Sequence, residues 1–270
     1  MMKPSNLKDG MKSVTDLRQY QGEDQIVSSW DMAEILKQEP APHVFNSKIP
    51  GLEKAIEGFE PGELIAISGP RKGGKTLLAQ SLTKNFIEQE VKSLWFSYEL
   101  ITRQFIDRWP DLPFFLLPQK LKPYALNWMK ERIFEALAKY GIGAVFIDHL
   151  HFLFDMARSR NASLEIGQII RWLKSLAVEL NLVIFILCHL QKIPLDKEPD
   201  DSNIRDSSFV SQESDTGLMI WRVHKTENEA ALKVCYARRT GAWEKPPIPL
   251  IKVKGLLQEK ETRDAWSMSE

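Results

Sequence analysis

The chain lacks several features that would assign its class directly. It has only two cysteines, Cys188 and Cys235, each inside an apolar segment, so reduced buried thiols are expected and a disulfide scaffold is excluded. No apolar run approaches the ~18 residues of a membrane-spanning helix, and the first residues lack the apolar core of a signal peptide. Basic and acidic residues balance at 36 each, so no global positive field attracts nucleic acid. We therefore expect a soluble cytoplasmic or otherwise intracellular protein with no membrane partner, whose contacts with nucleic acid are local.

The 270 residues, 43% hydrophobic and 27% charged, suit one large α/β domain. From residue 46 onward, strand and helix patterns alternate, which predicts a central, mostly parallel sheet flanked by helices. The predicted strands of this part are 63–68, 93–97, 144–148 and 182–188, and the helices are 75–90, 101–109, 123–140 and 163–179. After residue 215 the strands follow one another too closely for crossover helices, which predicts antiparallel edge strands at 217–222, 231–236 and 248–253.

The pattern predicts three regions. Residues 1–45 are expected to form a polar arm with a short linker helix, residues 46–255 the α/β domain, and residues 256–270 a polar tail. In the linker helix Ser29 is the expected N-cap, Trp30 and Leu36 give an apolar side, and Pro40 enforces the end. Because so short a helix needs a surface to pack on, it docks either on its own domain or on a neighbouring subunit.

The strongest motif is the glycine-rich segment from 69 to 76, which fits a glycine, four free positions and then Gly-Lys-Thr. Its residues are Gly69, Pro70, Arg71, Lys72, Gly73, Gly74, Lys75 and Thr76. The glycines let backbone N–H groups approach phosphates at a helix N-terminus, Lys75 brings a charge to the β and γ phosphates, and Thr76 offers a hydroxyl to Mg²⁺. The motif predicts binding of a nucleoside triphosphate; the alternative is a glycine-rich turn that binds nothing.

Two acidic residues end neighbouring predicted strands of the same domain. Asp148 closes the apolar run Ala-Val-Phe-Ile-Asp, where a carboxylate can hold the magnesium ion. Glu99 follows the strand after the phosphate-loop helix, and ligands of parallel sheets sit beyond the carboxyl ends of the strands. Glu99 could therefore orient or deprotonate an attacking water. The alternatives are an Asp that caps the next turn and a Glu that stabilises a helix N-terminus.

Several motifs in order resemble the helicase domain of the DnaB family, within the RecA-like ATPases. They are the phosphate loop, Ser-Tyr-Glu-Leu at 97–100, Ile-Asp-His-Leu at 147–150, Leu-Cys-His-Leu at 187–190, Arg-Asp-Ser-Ser at 205–208 and Ser-Asp-Thr at 214–216. Some of them look more like phage primase-helicases and mitochondrial Twinkle than bacterial DnaB. The resemblance implies a hexameric ring that uses ATP and Mg²⁺ to translocate on single-stranded DNA and to unwind duplex DNA during replication.

The resemblance also implies roles for individual residues. Glu99 matches the catalytic glutamate, Asp148 the magnesium-side aspartate, and His189 the polar sensor of the γ phosphate. Arg238 and Arg239 compete for the arginine finger, since the phage pattern selects Arg238 and the bacterial pattern Arg239. The alternatives are a structural histidine at 189 and a solvated basic turn at 238–239.

Two predicted loops would grip DNA if the resemblance holds. One contains Arg158 and Arg160, and the other contains Lys192 and Lys197 ahead of an acidic run. Such loops hold the phosphate backbone of a single strand without reading its bases, although basic loop residues are usually only solvated. The alternative function is a regulatory or recombination ATPase of the RecA or KaiC kind, which shares the fold and unwinds nothing.

Overall fold

The computed structural model describes residues 18, 20–22, 24–153, 162–189, 207–223 and 228–261. These residues form two compact units, one within Met1–Pro42 and the other within His43–Glu270. In the described part no helix is long and apolar enough to cross a membrane.

In the described part of the first unit, the helix α1 (Ser29–Gln38) has none of its residues buried. The hydroxyl of Ser28 accepts a hydrogen bond from the Asp31 backbone N–H, so Ser28 is the N-cap and the prediction of Ser29 was wrong by one residue. The helix ends at Gln38, ahead of Pro40 as expected. Trp30 belongs to this helix and is 83% exposed, and the other apolar residues of the helix are not buried either.

The second unit is built on a nine-stranded sheet with the order β2-β3-β4-β1-β5-β6-β8-β9, and β7 pairs with β6. The strands are β1 (Leu64–Gly69), β2 (Lys92–Ser97), β3 (Ile142–Asp148), β4 (Val183–His189), β5 (Thr216–Arg222), β6 (Glu229–Ala237), β7 (Ala242–Trp243), β8 (Ile248–Val253) and β9 (Leu256–Glu259). The central strands read as continuous apolar runs because helices cover both faces of the sheet.

Helices pack on both faces and enclose two apolar layers. One layer lies under α2 (Pro50–Ile56), α3 (Lys75–Ile87) and α4 (Thr102–Asp107). The other lies under α5 (Leu126–Tyr140), α6 (Ala162–Leu180) and α7 (Ser207–Glu213). Because β1 lies between β4 and β5 and is followed directly by α3, the phosphate loop starts from the middle of the sheet.

The predicted α/β class is confirmed: a mostly parallel sheet with antiparallel edge strands. The prediction for 217–222 was wrong on one side of that strand, since β5 pairs parallel with β1 and antiparallel with β6, while the β6–β7, β6–β8 and β8–β9 pairs are antiparallel as predicted. β5 starts at the same edge of the sheet as β1, so it extends the parallel part. Spacing alone had suggested otherwise. The short elements α2, α7, β7 and β9 carry too few residues for a periodic pattern, and they were not predicted.

Candidate nucleotide site

The phosphate loop connects β1 to α3 at the carboxyl edge of the parallel strands. A Cβ atom at Gly69 would lie 2.2 Å from the Ile220 carbonyl oxygen of β5, so only glycine fits between the two strands there. Gly74 is the residue before α3 and has φ 110°, a conformation that side chains disfavour. The loop therefore owes its shape to both its own glycines and the neighbouring strand.

Lys75 is almost entirely buried at the start of α3. Its Nζ donates hydrogen bonds to the carbonyl oxygens of Gly69 and Pro70, at 3.0 and 3.1 Å. Burial lowers the pKa of Lys75, while the negative charges of Glu99 and Asp148 oppose that shift. The ammonium group is thus held by the loop carbonyl oxygens within the field of two carboxylates, and a bound polyphosphate would add further negative charge.

Thr76 and Asp148 meet beside the loop. The Thr76 Oγ1 atom donates to Asp148 Oδ2 at 2.9 Å, while Asp148 Oδ1 is buried and has no hydrogen-bond partner in the described part of the chain. Burial and the nearby charge of Glu99 raise the pKa of Asp148 to about 6. A buried, underused carboxylate oxygen next to a hydroxyl fits Mg²⁺, which takes one or two carboxylates together with phosphate oxygens and water. These two side chains would hold the ion.

Glu99 is exposed and follows β2, which pairs with β3 so that Ser97 lies opposite Asp148. The Glu99 backbone N–H donates to the Asp148 carbonyl oxygen at 3.3 Å, so the fold brings the two predicted carboxylates together. Glu99 lines the same 440 Å³ pocket as the phosphate loop. The pocket is also lined by Leu77, Leu100, Arg108, Arg222, Asn228, Glu229, Ala230 and Leu257, none of which the sequence patterns indicated.

The two neighbouring histidines occupy different positions. His189 is the last residue of β4, and its backbone pairs with Gly69 at the start of the loop. His149 is buried behind Asp148, where its Nδ1 lies 3.0 Å from the Leu187 carbonyl oxygen, and burial lowers its pKa to about 4. Within the described ranges no group of three or more His, Cys, Asp or Glu side chains could hold a metal ion.

Arg238 and Arg239 lie at the opposite, amino edge of the sheet. β6 runs antiparallel to β5, so Ala237 at its end pairs with Thr216 at the start of β5. The Arg238 backbone N–H continues the pairing by donating to the Asp215 carbonyl oxygen at 2.8 Å. The length of β1 therefore separates this turn from the phosphate loop, about 17 Å at the usual rise of a strand.

The two arginines have different surroundings. Arg239 forms ion pairs with Glu60 and Glu63 and donates to backbone carbonyl oxygens at the end of α2. Arg238 is exposed, donates to the Gln212 carbonyl oxygen at the end of α7, and forms no ion pair among the described residues. The four predicted DNA contacts, Arg158, Arg160, Lys192 and Lys197, lie outside the described residues.

Comparison with known proteins adds the family context. Residues 115–246 match the sequence model of the DnaB-like helicase C terminal domain, a segment that contains Asp148, His189 and both arginines. The predicted resemblance to the DnaB family is confirmed. This DnaB-like segment begins after the phosphate loop and Glu99. The assignment of those residues to the site is therefore supported by their own sequence pattern and by the geometry of the pocket.

Curated relatives cover more of the chain. The replicative DNA helicase DnaB of Rickettsia prowazekii is 25% identical over 217 residues, which cover 63% of this chain and 44% of that protein. A probable replicative DNA helicase of Trieres chinensis is 27% identical, with 63% and 46% covered, and DnaB of Haemophilus influenzae is 24% identical, with 80% and 56% covered. The chain thus spans about half the length of the curated relatives it matches.

Solved structures confirm the DnaB-like fold. A DnaB-like replicative helicase, studied together with its interactions with primase, superimposes with a TM-score of 0.68 at 20% identity and covers 89% of this chain and 69% of that one. The ATPase domain of G40P gives a TM-score of 0.68 at 19% identity and covers 86% and 96%.

Proposed function

We propose that this chain is the ATPase portion of a ring-shaped DNA helicase, which hydrolyses ATP to translocate on single-stranded DNA and to unwind duplex DNA. One observation carries the proposal. The phosphate loop, Asp148 and Glu99 lie at one edge of the sheet, and the exposed Arg238 lies at the opposite edge, so a complete site needs two subunits in head-to-tail contact. A head-to-tail contact closes into a ring when the rotation between subunits permits. The relatives named as replicative DNA helicases support DNA as the polymer along which the ring moves.

Each side chain of the site has a proposed task. The loop backbone and Lys75 bind the β and γ phosphates, and Thr76 with Asp148 holds Mg²⁺, which supplies charge neutralisation when bound. Glu99 orients the attacking water and accepts its proton, because it is exposed to the same pocket and lies beside Asp148. His189 reads the γ phosphate from its place beside Gly69.

Across the subunit interface, Arg238 is the proposed finger that stabilises the charge of the transferring phosphoryl group. Both arginines are exposed, but ion pairs and hydrogen bonds hold the Arg239 side chain within its own subunit, whereas among the described residues the Arg238 side chain makes one hydrogen bond, to the Gln212 carbonyl oxygen. The described residues therefore favour Arg238, the choice given by the phage pattern. The four basic residues at 158, 160, 192 and 197 remain the proposed contacts to the DNA backbone.

One set of measurements tests the function. We expect ATP hydrolysis to be stimulated by single-stranded DNA, strands of a forked duplex to separate with ATP, and electron microscopy to show closed rings. An intact oligomer that hydrolyses ATP without DNA stimulation and without strand separation would indicate a regulatory ATPase of the KaiC kind. DNA-stimulated hydrolysis with helical filaments in place of rings would indicate a recombination ATPase. Either result would refute the helicase proposal.

A further inference from the structure

We infer that Arg239 is a positioning residue, which fixes the turn carrying the Arg238 finger and does not itself enter the neighbouring site. The inference rests on the proposed function, because it needs Arg238 to act there. It concerns a position that the bacterial pattern would assign to the finger itself, and it assigns that position a different task in this chain.

The guanidinium of Arg239 contacts its own subunit through two of its nitrogens, Nε and Nη2. Its Nε donates to Glu63 Oε1 at 3.1 Å and lies 3.4 Å from Glu60 Oε2. Its Nη2 donates to the carbonyl oxygens of Ile56 and Gly58, both at 2.7 Å. Since the planar guanidinium has a fixed fork of donors, these partners also fix its orientation.

The carbonyl oxygens that accept from Arg239 lie at the end of α2 and just after it, where the helix supplies no donor. α2 ends at Ile56, and the next two residues, Glu57 and Gly58, have φ of 55° and 79°, so the chain leaves the helix with positive φ at both positions. The last carbonyl groups of a helix lack donors inside it and carry the negative end of its dipole. Thr240 contributes as well, because its hydroxyl donates to the Ala55 carbonyl oxygen at 2.9 Å. Two consecutive side chains of the turn therefore cap α2.

Glu63 explains why the contact resists rearrangement. Its side chain is only 10% exposed, and burial raises its pKa, while the hydrogen bond and charge of Arg239 oppose that rise. Withdrawing Arg239 toward another subunit would leave the buried Glu63 carboxylate without its cationic partner, with the Glu60 backbone N–H as a remaining donor, and would remove a donor from the Ile56 and Gly58 carbonyl oxygens. Arg238 has one hydrogen bond to give up among the described residues, the one to the Gln212 carbonyl oxygen.

The two adjacent arginines therefore have different roles: Arg239 positions the turn, and Arg238 is the finger. Arg239 and Thr240 attach the turn to α2, and the Arg238 backbone attaches it to β5 through the Asp215 carbonyl oxygen. With both attachments in place, the side chain of Arg238 starts from a fixed Cα position. Finger catalysis is sensitive to such placement, because a shift of about 1 Å can cost 10²-fold in rate.

A double-mutant cycle tests the inference in the full chain assembled as its oligomer. The variants are Arg238→Ala, Arg239→Gln, their combination, and Glu63→Gln, and each is measured for kcat and KM of DNA-stimulated ATP hydrolysis and for Tm. We expect Arg238→Ala to lower kcat by about 10³-fold with little change in Tm. Arg239→Gln should lower kcat by about 10-fold and Tm by about 2–4 °C.

Two results separate positioning from the alternatives. In the Arg238→Ala background, Arg239→Gln should lower Tm again and leave kcat unchanged, because its effect on rate passes through Arg238. Glu63→Gln should reproduce Arg239→Gln in both kcat and Tm, although a carboxylate at the start of β1 cannot be a finger. A Glu63→Gln variant with wild-type kcat would overturn the inference.

Other outcomes overturn it at identifiable steps. If Arg239→Gln lowers kcat as far as Arg238→Ala does and leaves Tm unchanged, Arg239 is the finger. If the two losses in kcat multiply in the double variant, Arg239 acts independently of Arg238. A wild-type oligomer without DNA-stimulated hydrolysis would refute the proposed function, whereas normal hydrolysis in Arg238→Ala would refute the finger alone.

Discussion

Mixing two inactive variants should restore ATP hydrolysis if the site is shared between subunits. Lys75→Ala removes the charge from the phosphate loop, and Arg238→Ala removes the finger at the other edge of the sheet. About 17 Å of strand separates the two places within one subunit, which is longer than an arginine side chain. A subunit therefore cannot complete its own site, and each interface needs an intact loop from one protomer and an intact finger from the next.

The magnitude follows from the arrangement. In rings assembled from equal amounts of the two variants, half of the loops are intact and half of the facing fingers are intact, so about one quarter of the interfaces are complete. We expect DNA-stimulated hydrolysis to rise from near zero in either variant alone to about one quarter of the wild-type rate in the mixture. Steady-state phosphate release after subunit exchange measures this, and cooperation between sites would lower the value.

A matched mixture serves as the control. Lys75→Ala and Glu99→Gln both damage the loop side of the interface, so no mixture of these two can form a complete site, and we expect hydrolysis to stay near zero. No restoration in the first mixture, in rings that are shown to contain both variants, would refute the shared site. Equal restoration in both mixtures would show that subunits influence one another without sharing catalytic residues.

Three further outcomes follow from the site. Glu99→Gln should bind ATP with near wild-type affinity in a fluorescent-nucleotide titration and lose at least about 10²-fold in kcat, because only the water-activating carboxylate is removed; full activity would exclude Glu99 as the base. Since the pKa of Asp148 is raised from 3.8 to about 6, the metal-free protein loses stability as pH rises from about 3.8 to about 6, so Asp148→Asn should stabilise it by about 3 kcal/mol at pH 8 and by little below pH 4 in EDTA. Equal stabilisation at both pH values would contradict the ionised, buried carboxylate. Gly69→Ala should lower stability by about 1–3 kcal/mol and weaken nucleotide binding, because the new Cβ would lie 2.2 Å from the Ile220 carbonyl oxygen; unchanged denaturant unfolding and binding would contradict it.

The sequence predicted best what neighbouring residues determine. The phosphate loop is a local pattern, and Asp148 and Glu99 could be placed because strand ends of a parallel sheet meet at one edge. Arg108 and Arg222 could not be predicted as pocket residues, because their place there depends on how the end of α4 and the end of β5 face the loop. These two residues have no pattern of their own.

The choice between the two arginines shows the same limit. Arg239 is held by Glu63 and by the end of α2, which precede it by about 180 residues in the chain. No spacing rule connects positions so far apart, and α2 itself has seven residues and no side-chain hydrogen bond at its N-cap, Ile49. The N-cap of α1 was misplaced for a smaller reason: Ser28 and Ser29 are adjacent, and the hydrogen bond from the Asp31 backbone N–H selects the first.

The last strand of the sheet is attached to the helix that carries the phosphate loop. The Leu257 backbone N–H of β9 donates to Ser81 Oγ of α3 at 2.8 Å, and Glu259 of the same strand accepts from the Gly51 backbone N–H in α2 at 2.6 Å. In terms of local unfolding, β9 cannot detach without releasing contacts of both helices. The amide of Leu257 should therefore exchange with deuterium only when this region opens, and because Leu257 also lines the pocket, its exchange should report nucleotide binding at the loop.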